Sequence, residues 1–157
     1  MSLGVLAVSK VELNSLKLRA FIYATESEEK VLKALLNLIP PELRDRVAVS
    51  RQLVKGHHGN PIVLVQAVLQ GGDAEASLRH IASALAVADK SILKASLPLR
   101  YDPREKKLSF RLSKQELYFG KLVISDSGDV VHVTLSFSGK ASRESVRKLL
   151  EDAGLIQ

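Results

Sequence analysis

The chain contains no cysteine. That absence removes disulfides, thiolate zinc sites and thiol nucleophiles together, and it suits a reducing compartment. Tryptophan is missing as well, and the other aromatics are three tyrosines and four phenylalanines, so stacking on flat ligands can engage few rings. No apolar run approaches the length of a bilayer span. The opening GVLAV is too short for the core of a secretion signal and has no basic residues before it. These absences lead to the expectation of a soluble, cytoplasmic protein with no membrane partner. Met1-Ser2-Leu3 is set aside as a candidate expression scar.

Catalytic and nucleotide signatures are equally scarce. TLSFSGKA ends in Gly139-Lys140, but Thr134 stands where a phosphate loop needs glycine and Ala141 where it needs serine or threonine. No G-x-S-x-G elbow occurs. Adjacent histidines on an extended segment point opposite ways, so His57 and His58 are poorly placed to chelate one ion. His80 falls on an expected helix and His132 on an expected strand, with no carboxylate at ligand spacing. Neither a metal nor a cofactor is expected. The pairs Glu28/Glu29 and Asp126/Asp129 read as the first turn of a helix and a hairpin turn.

What is present is charge. The 157 residues carry a formal net charge of +6, which points toward polyanionic partners. A chain of this length fits one domain, here 1–157, and buries roughly 70% of its unfolded surface without staples.

The hydrophobic periodicity lays out the elements. In LKLRAFIYA, Leu16, Leu18, Ala20 and Ile22 take one parity and Lys17, Arg19, Phe21 and Tyr23 the other, which predicts a strand with one apolar face. Thr25 with Glu28 three residues on has the capping-box pattern, and Val31, Leu32, Leu35 and Leu38 form a helical stripe ended by Pro40 and Pro41. Residues 46–55 and 61–70 are predicted to pair as a hairpin around KGHHGNPI, with Gly56 and Gly59 taking φ values closed to other residues and Asn60 held extended by Pro61. A long helix is predicted from an N-capping Asp73 through Leu78, Ile81, Leu85 and Ile92. LPLRYD and KKLSFRL read as short strands around DPREK. Ser113 with Glu116 caps a short helix, strands are predicted near 121–125 and 130–138, and a last helix runs from Ser142 to Asp152 with Gly154 as its C-cap. Hairpins dominate this order, so the fold class is α+β with an antiparallel or mixed sheet.

If helices cover one face of that sheet, the other face carries cations. Lys107, Ser109 and Arg111 alternate with Leu108, Phe110 and Leu112, Arg100 lies opposite Leu99, and the first strand presents Lys17 and Arg19. Cations with a few aromatics on an open sheet are the make-up of a platform for single-stranded nucleic acid. A merely solvated polar face gives the same pattern.

FIYATESEEKVLKALLNLIP, KGHHGNPI and RYDPREKKLSFRLSKQELYFGKL, in that order, resemble the archaeal RNA-binding family described as a predicted exosome subunit. The resemblance implies an α+β fold like that of the large-subunit ribosomal protein five, a role in RNA binding and association with RNA processing or degradation; it transfers no catalytic residues. The family tends to have an acidic residue where Ser113 stands, and since both residue types cap helices, the local structure is expected to survive. Parity and resemblance together single out Lys17, Arg19, Arg51, Lys55, Arg100, Arg111 and Lys114 as phosphate contacts. His57 and His58 are further donors, Asn60 shapes the hairpin, and Gln115 adds a hydrogen bond. RNA is the expected partner and a homo-oligomer is left open. Two other classes compete: an enzyme using His57 or His58 as general base, and an assembly factor that docks through apolar helices.

Overall fold

The computed structural model describes residues 10–157. The opening GVLAV and the candidate scar lie outside the described residues. Strand β1 (Glu12–Ile22) is central in a six-stranded sheet with β2 (Val49–Lys55), β3 (Pro61–Gln70), β4 (Tyr101–Asp102), β5 (Lys107–Ser113) and β6 (Val130–Ser138), in the order β2-β3-β1-β6-β5-β4. Every pairing is antiparallel. Alternation in β1 works as read: Leu16, Leu18, Ala20 and Ile22 are buried while Lys17 is exposed. A bulge between Leu13 and Ser15 keeps Leu13 on the same face as Leu16 despite their odd separation, so both reach the core.

The helices cover that face. Helix α1 (Glu28–Leu36) buries Val31 and Leu35, and its cap is Ser27, whose Oγ accepts from the Lys30 amide at 3.3 Å. The expected Thr25 cap fails because residues 23–26 form a turn of their own, the Glu26 amide donating to the Tyr23 carbonyl at 2.9 Å and the Glu26 carboxylate accepting from the Tyr23 amide at 3.0 Å.

The single long helix expected after β3 is two, α2 (Gly71–Ala84) and α3 (Val87–Arg100). Leu85 turns extended at ψ 131° and drops into the core, and Ala86 stays extended at ψ 155° before α3 begins. Asp73 therefore sits inside the first turn of α2 and pairs with Arg46 at 2.9 Å, instead of capping. The break also resets the helical phase, so Ile92 is 46% exposed and Leu93 and Leu97 are buried in its place. Because α3 continues through Pro98 to Arg100, the strand expected over LPLRYD shrinks to β4, and Arg100 belongs to a helix.

Helix α4 (Lys114–Tyr118) starts where expected, with Ser113 Oγ accepting from the Glu116 amide at 3.3 Å. The strand expected near 121–125 reduces to one bridge, Ile124 to Leu112, on the part of β5 that short β4 leaves uncovered. Helix α5 (Arg143–Ala153) is capped by Ser142 and stopped by Gly154 at φ +83°. Side chains from all five helices join the sheet's buried residues in one core cluster, while the opposite sheet face, apart from buried Val130 at its end, bears exposed and half-buried residues.

Candidate nucleic-acid interface

Antiparallel register lines side chains up in rows across the open face. The central row runs Gln66 on β3, Arg19 on β1, His132 on β6 and Arg111 on β5. Beside it lie Val68, Lys17, Thr134 and Ser109, then Gln70, Ser15, Ser136 and Lys107. Strand spacing of about 4.8 Å and a two-residue step of about 6.8 Å make this a grid of donors interrupted by the exposed apolar Val68. Within it, Ser109 and Thr134 hydroxyls stand 3.5 Å apart.

His132 sits between two guanidinium-bearing neighbours. Burial first, then the positive charges of Arg19 and Arg111, push its imidazole below the usual histidine value. The neutral ring therefore lets two arginines share one row without a third full charge between them. Arg111 is partly occupied: its Nη2 lies 2.8 Å from Asp126 Oδ1.

The expected site residues divide by place. Lys17, Arg19 and Arg111 share the open face. Arg51 does not: it pairs in register with Val65, on the helix-covered side of edge strand β2, and its guanidinium grips Glu28 at 2.9 Å. That hydrogen-bonded pair lowers the Glu28 pKa and raises that of Arg51. Lys55 has the same parity at the end of β2. Arg100, its side chain 12% exposed, donates from Nε to Ser96 Oγ at 2.7 Å and lies 3.6 Å from Asp126. Lys114 is buried, its side chain 5% exposed, with Nζ held by the Phe21 carbonyl at 2.7 Å, Glu26 at 3.0 Å and Asp129 at 3.2 Å. An ammonium so engaged is a tie between elements, not a surface contact. Gln115 is exposed and donates to Asp129 at 3.3 Å.

His57, His58 and Asn60 occupy the β2–β3 turn, at the sheet end where β1 terminates. The turn closes through the Gly56 amide donating to the Asn60 carbonyl at 2.7 Å. Gly59 has φ +77°, as anticipated, but Gly56 has an ordinary φ of −79° and is needed for space: a Cβ there would meet Ile62 Cδ1 at 2.5 Å. His58 itself takes φ +67°, exposed in the turn. Asn60 is extended before Pro61.

Sequence reasoning placed His132 on a strand but left it out of the candidate RNA contacts, although VVHVTLSFS alternates as cleanly as the first strand and places His132, Thr134 and Ser136 on one parity. Lys107, noted in the parity pattern, also belongs to the grid. Among the described residues, no group of three or more histidine, cysteine or acidic side chains could hold a metal, and no helix is long and apolar enough to cross a membrane.

Comparison with known proteins places this architecture. A family model described as RNA binding matches residues 15–137. An uncharacterised protein of Methanocaldococcus jannaschii is 30% identical over 142 residues, covering 88% of this chain and 95% of the relative. An RNA-binding protein of Pyrococcus abyssi is 29% identical over 155 residues, covering 90% of this chain and 96% of that protein. Among solved structures, a protein from Archaeoglobus fulgidus superposes with a TM-score of 0.76 at 24% identity, over 90% of this chain and 99% of its own, a likeness of fold. A DUF54 protein from Methanothermobacter thermautotrophicus gives 0.71 at 25% identity, over 90% and 97%. The matched segment takes in every residue of the three rows on the open face, and the chain belongs to the RNA-binding family.

Proposed function

We propose that this protein binds RNA, without catalysis, on the helix-free face of its sheet. Lys17, Arg19, Lys107 and Arg111 engage phosphates there, and the serine, threonine and glutamine side chains of the same rows donate to sugar and phosphate oxygens. The observation that carries this reading is the row Arg19, His132, Arg111, which sets two guanidinium groups on strands two apart with an imidazole between them. Arginine forks match phosphate oxygens, and an extended sheet suits a single strand better than a duplex groove does.

Fluorescence anisotropy of a labelled single-stranded RNA tests it. With about four phosphates engaged, affinity falls roughly fiftyfold between about 50 and 200 mM salt, and changing Arg19 and Arg111 together to alanine lowers the salt slope by about 1.4. A variant that folds normally and binds RNA unchanged defeats the assignment. RNA recovered at full length after incubation supports the non-catalytic part of the reading.

We extend the proposal to cytoplasmic work beside the RNA-degrading exosome, which the family resemblance supports. Co-elution with a reconstituted archaeal exosome on gel filtration is the expected result, and separate elution at micromolar concentration contradicts it.

A further inference from the structure

Three aromatic side chains gather at one end of the sheet, away from the cationic rows. Phe119, the C-cap of α4, is 75% exposed, and its ring meets that of Tyr118 edge-on, with centroids 5.0 Å apart. Two ammonium groups of α1 lie over the Tyr118 ring, Lys33 at 4.8 Å and Lys30 at 5.5 Å from its centroid. Tyr23, 41% exposed, follows Phe21 by two residues, and Lys114 Nζ stands 5.2 Å from its centroid. Between α1 and α4 opens a notch of about 320 Å³, with Ser27, Lys30 and Val31 on one side and Gln115, Tyr118 and Phe119 on the other.

Each part has a chemistry. So exposed a phenylalanine ring adds little to the core and leaves a flat apolar surface in water, where a nucleobase can stack. Two cations drawn to one ring repel each other, and a phosphate between them relieves that repulsion. Gln115 and Ser27 supply an amide and a hydroxyl, which together can donate to and accept from a base edge. Position matters as well: Phe21 lies on the open face, Tyr23 is about 7 Å farther along the chain, and the Lys114 tie joins Phe21 to Glu26 on the notch wall.

The geometry points to this notch as a seat for one unpaired nucleobase and its phosphate, at the end of an RNA strand that crosses the open face. The base stacks on Phe119, Gln115 and Ser27 meet its edge, and Lys30 and Lys33 hold the phosphate. This rests on the RNA-binding reading and adds a subsite to it, one that takes a terminal base of the single strand.

The absence of tryptophan makes the test direct, because Phe119→Trp installs the chain's sole indole. A single-stranded RNA long enough to cross the open face and the same strand with abasic residues at both ends are titrated against wild type, Phe119→Ala and Phe119→Trp. The notch predicts that the strand with its terminal bases quenches the indole and that wild type binds it about tenfold tighter than the abasic-ended strand. Phe119→Ala loses that preference while keeping its affinity for the abasic-ended strand and its thermal midpoint. Equal affinity of wild type for both RNAs, or a preference that survives in Phe119→Ala, overturns the notch and leaves RNA binding by the sheet intact. Absence of binding to either RNA removes the RNA reading and the notch with it.

Discussion

Lys114 and His132 show how far single residues depend on partners remote in sequence. From sequence, Lys114 is one more cation beside Arg111. In the fold its ammonium lies among Glu26, the Phe21 carbonyl and Asp129; the first two come from a segment far from it in the chain, and nothing local to RLSKQ announces them. Replacing Lys114 by methionine removes the charge but leaves both carboxylates and a carbonyl facing one another. The acids are partly hydrated, with side chains 24% and 42% exposed, so the loss is expected at about 2–3 kcal/mol, below that of a fully buried pair. Urea unfolding reads this, and a midpoint within error of wild type contradicts it. His132 carries the pH dependence. Its native pKa is depressed below the ordinary 6.5, so the unfolded chain binds the proton more readily. The stability tied to the neutral ring is complete above about pH 6.5 and is lost as pH falls from there through the native value. Between pH 7.5 and 5, the thermal midpoint of wild type should drop further than that of His132→Gln; parallel curves would contradict the assignment. The alternation that identified Lys17, Arg19 and Arg111 needed only the two-residue period of a strand, which is why these positions were legible.

At the scale of elements, strands with one buried face were read correctly and junctions were not. Edge strand β2 misled because Arg51 shares its parity with exposed Leu53 on the core side, so hydrophobicity along VSRQLVK does not say which way the arginine points. The break between α2 and α3 falls in SALAVADK, which has no proline or glycine to mark it; burial of Leu85 decides it, a tertiary effect. Segment 121–125 reads as a strand but finds only one stretch of β5 free, and its continuation carries Asp126 to Arg111 and Arg100. That acidic turn competes with phosphate for Arg111. Asp126→Asn should tighten single-stranded RNA binding by about two- to fivefold, the scale of an exposed ion pair. Unchanged or weaker affinity by anisotropy would show that Arg111 is not waiting for a phosphate.

For the whole molecule, the fold class followed from the run of hairpins, and the structure refines it to a wholly antiparallel sheet with helices on one side. That one-sidedness is what turns alternation into a site, since the parity that avoids the core is then gathered on one accessible surface. The three-strand row of Arg19, His132 and Arg111 was beyond sequence, because strand order β1-β6-β5 sets Arg19 in a row with residues more than ninety positions later in the chain. The central claim is therefore about a face. An NMR titration of the isotopically labelled protein with single-stranded RNA, following arginine Nε–H, lysine Nζ and histidine ring signals, reads it directly. The account predicts saturable shifts at Lys17, Arg19, His132, Lys107 and Arg111, with Arg46, Arg79 and Arg147 of the helix side unmoved. Shifts concentrated on that helix side, or none at all at low salt, would contradict it.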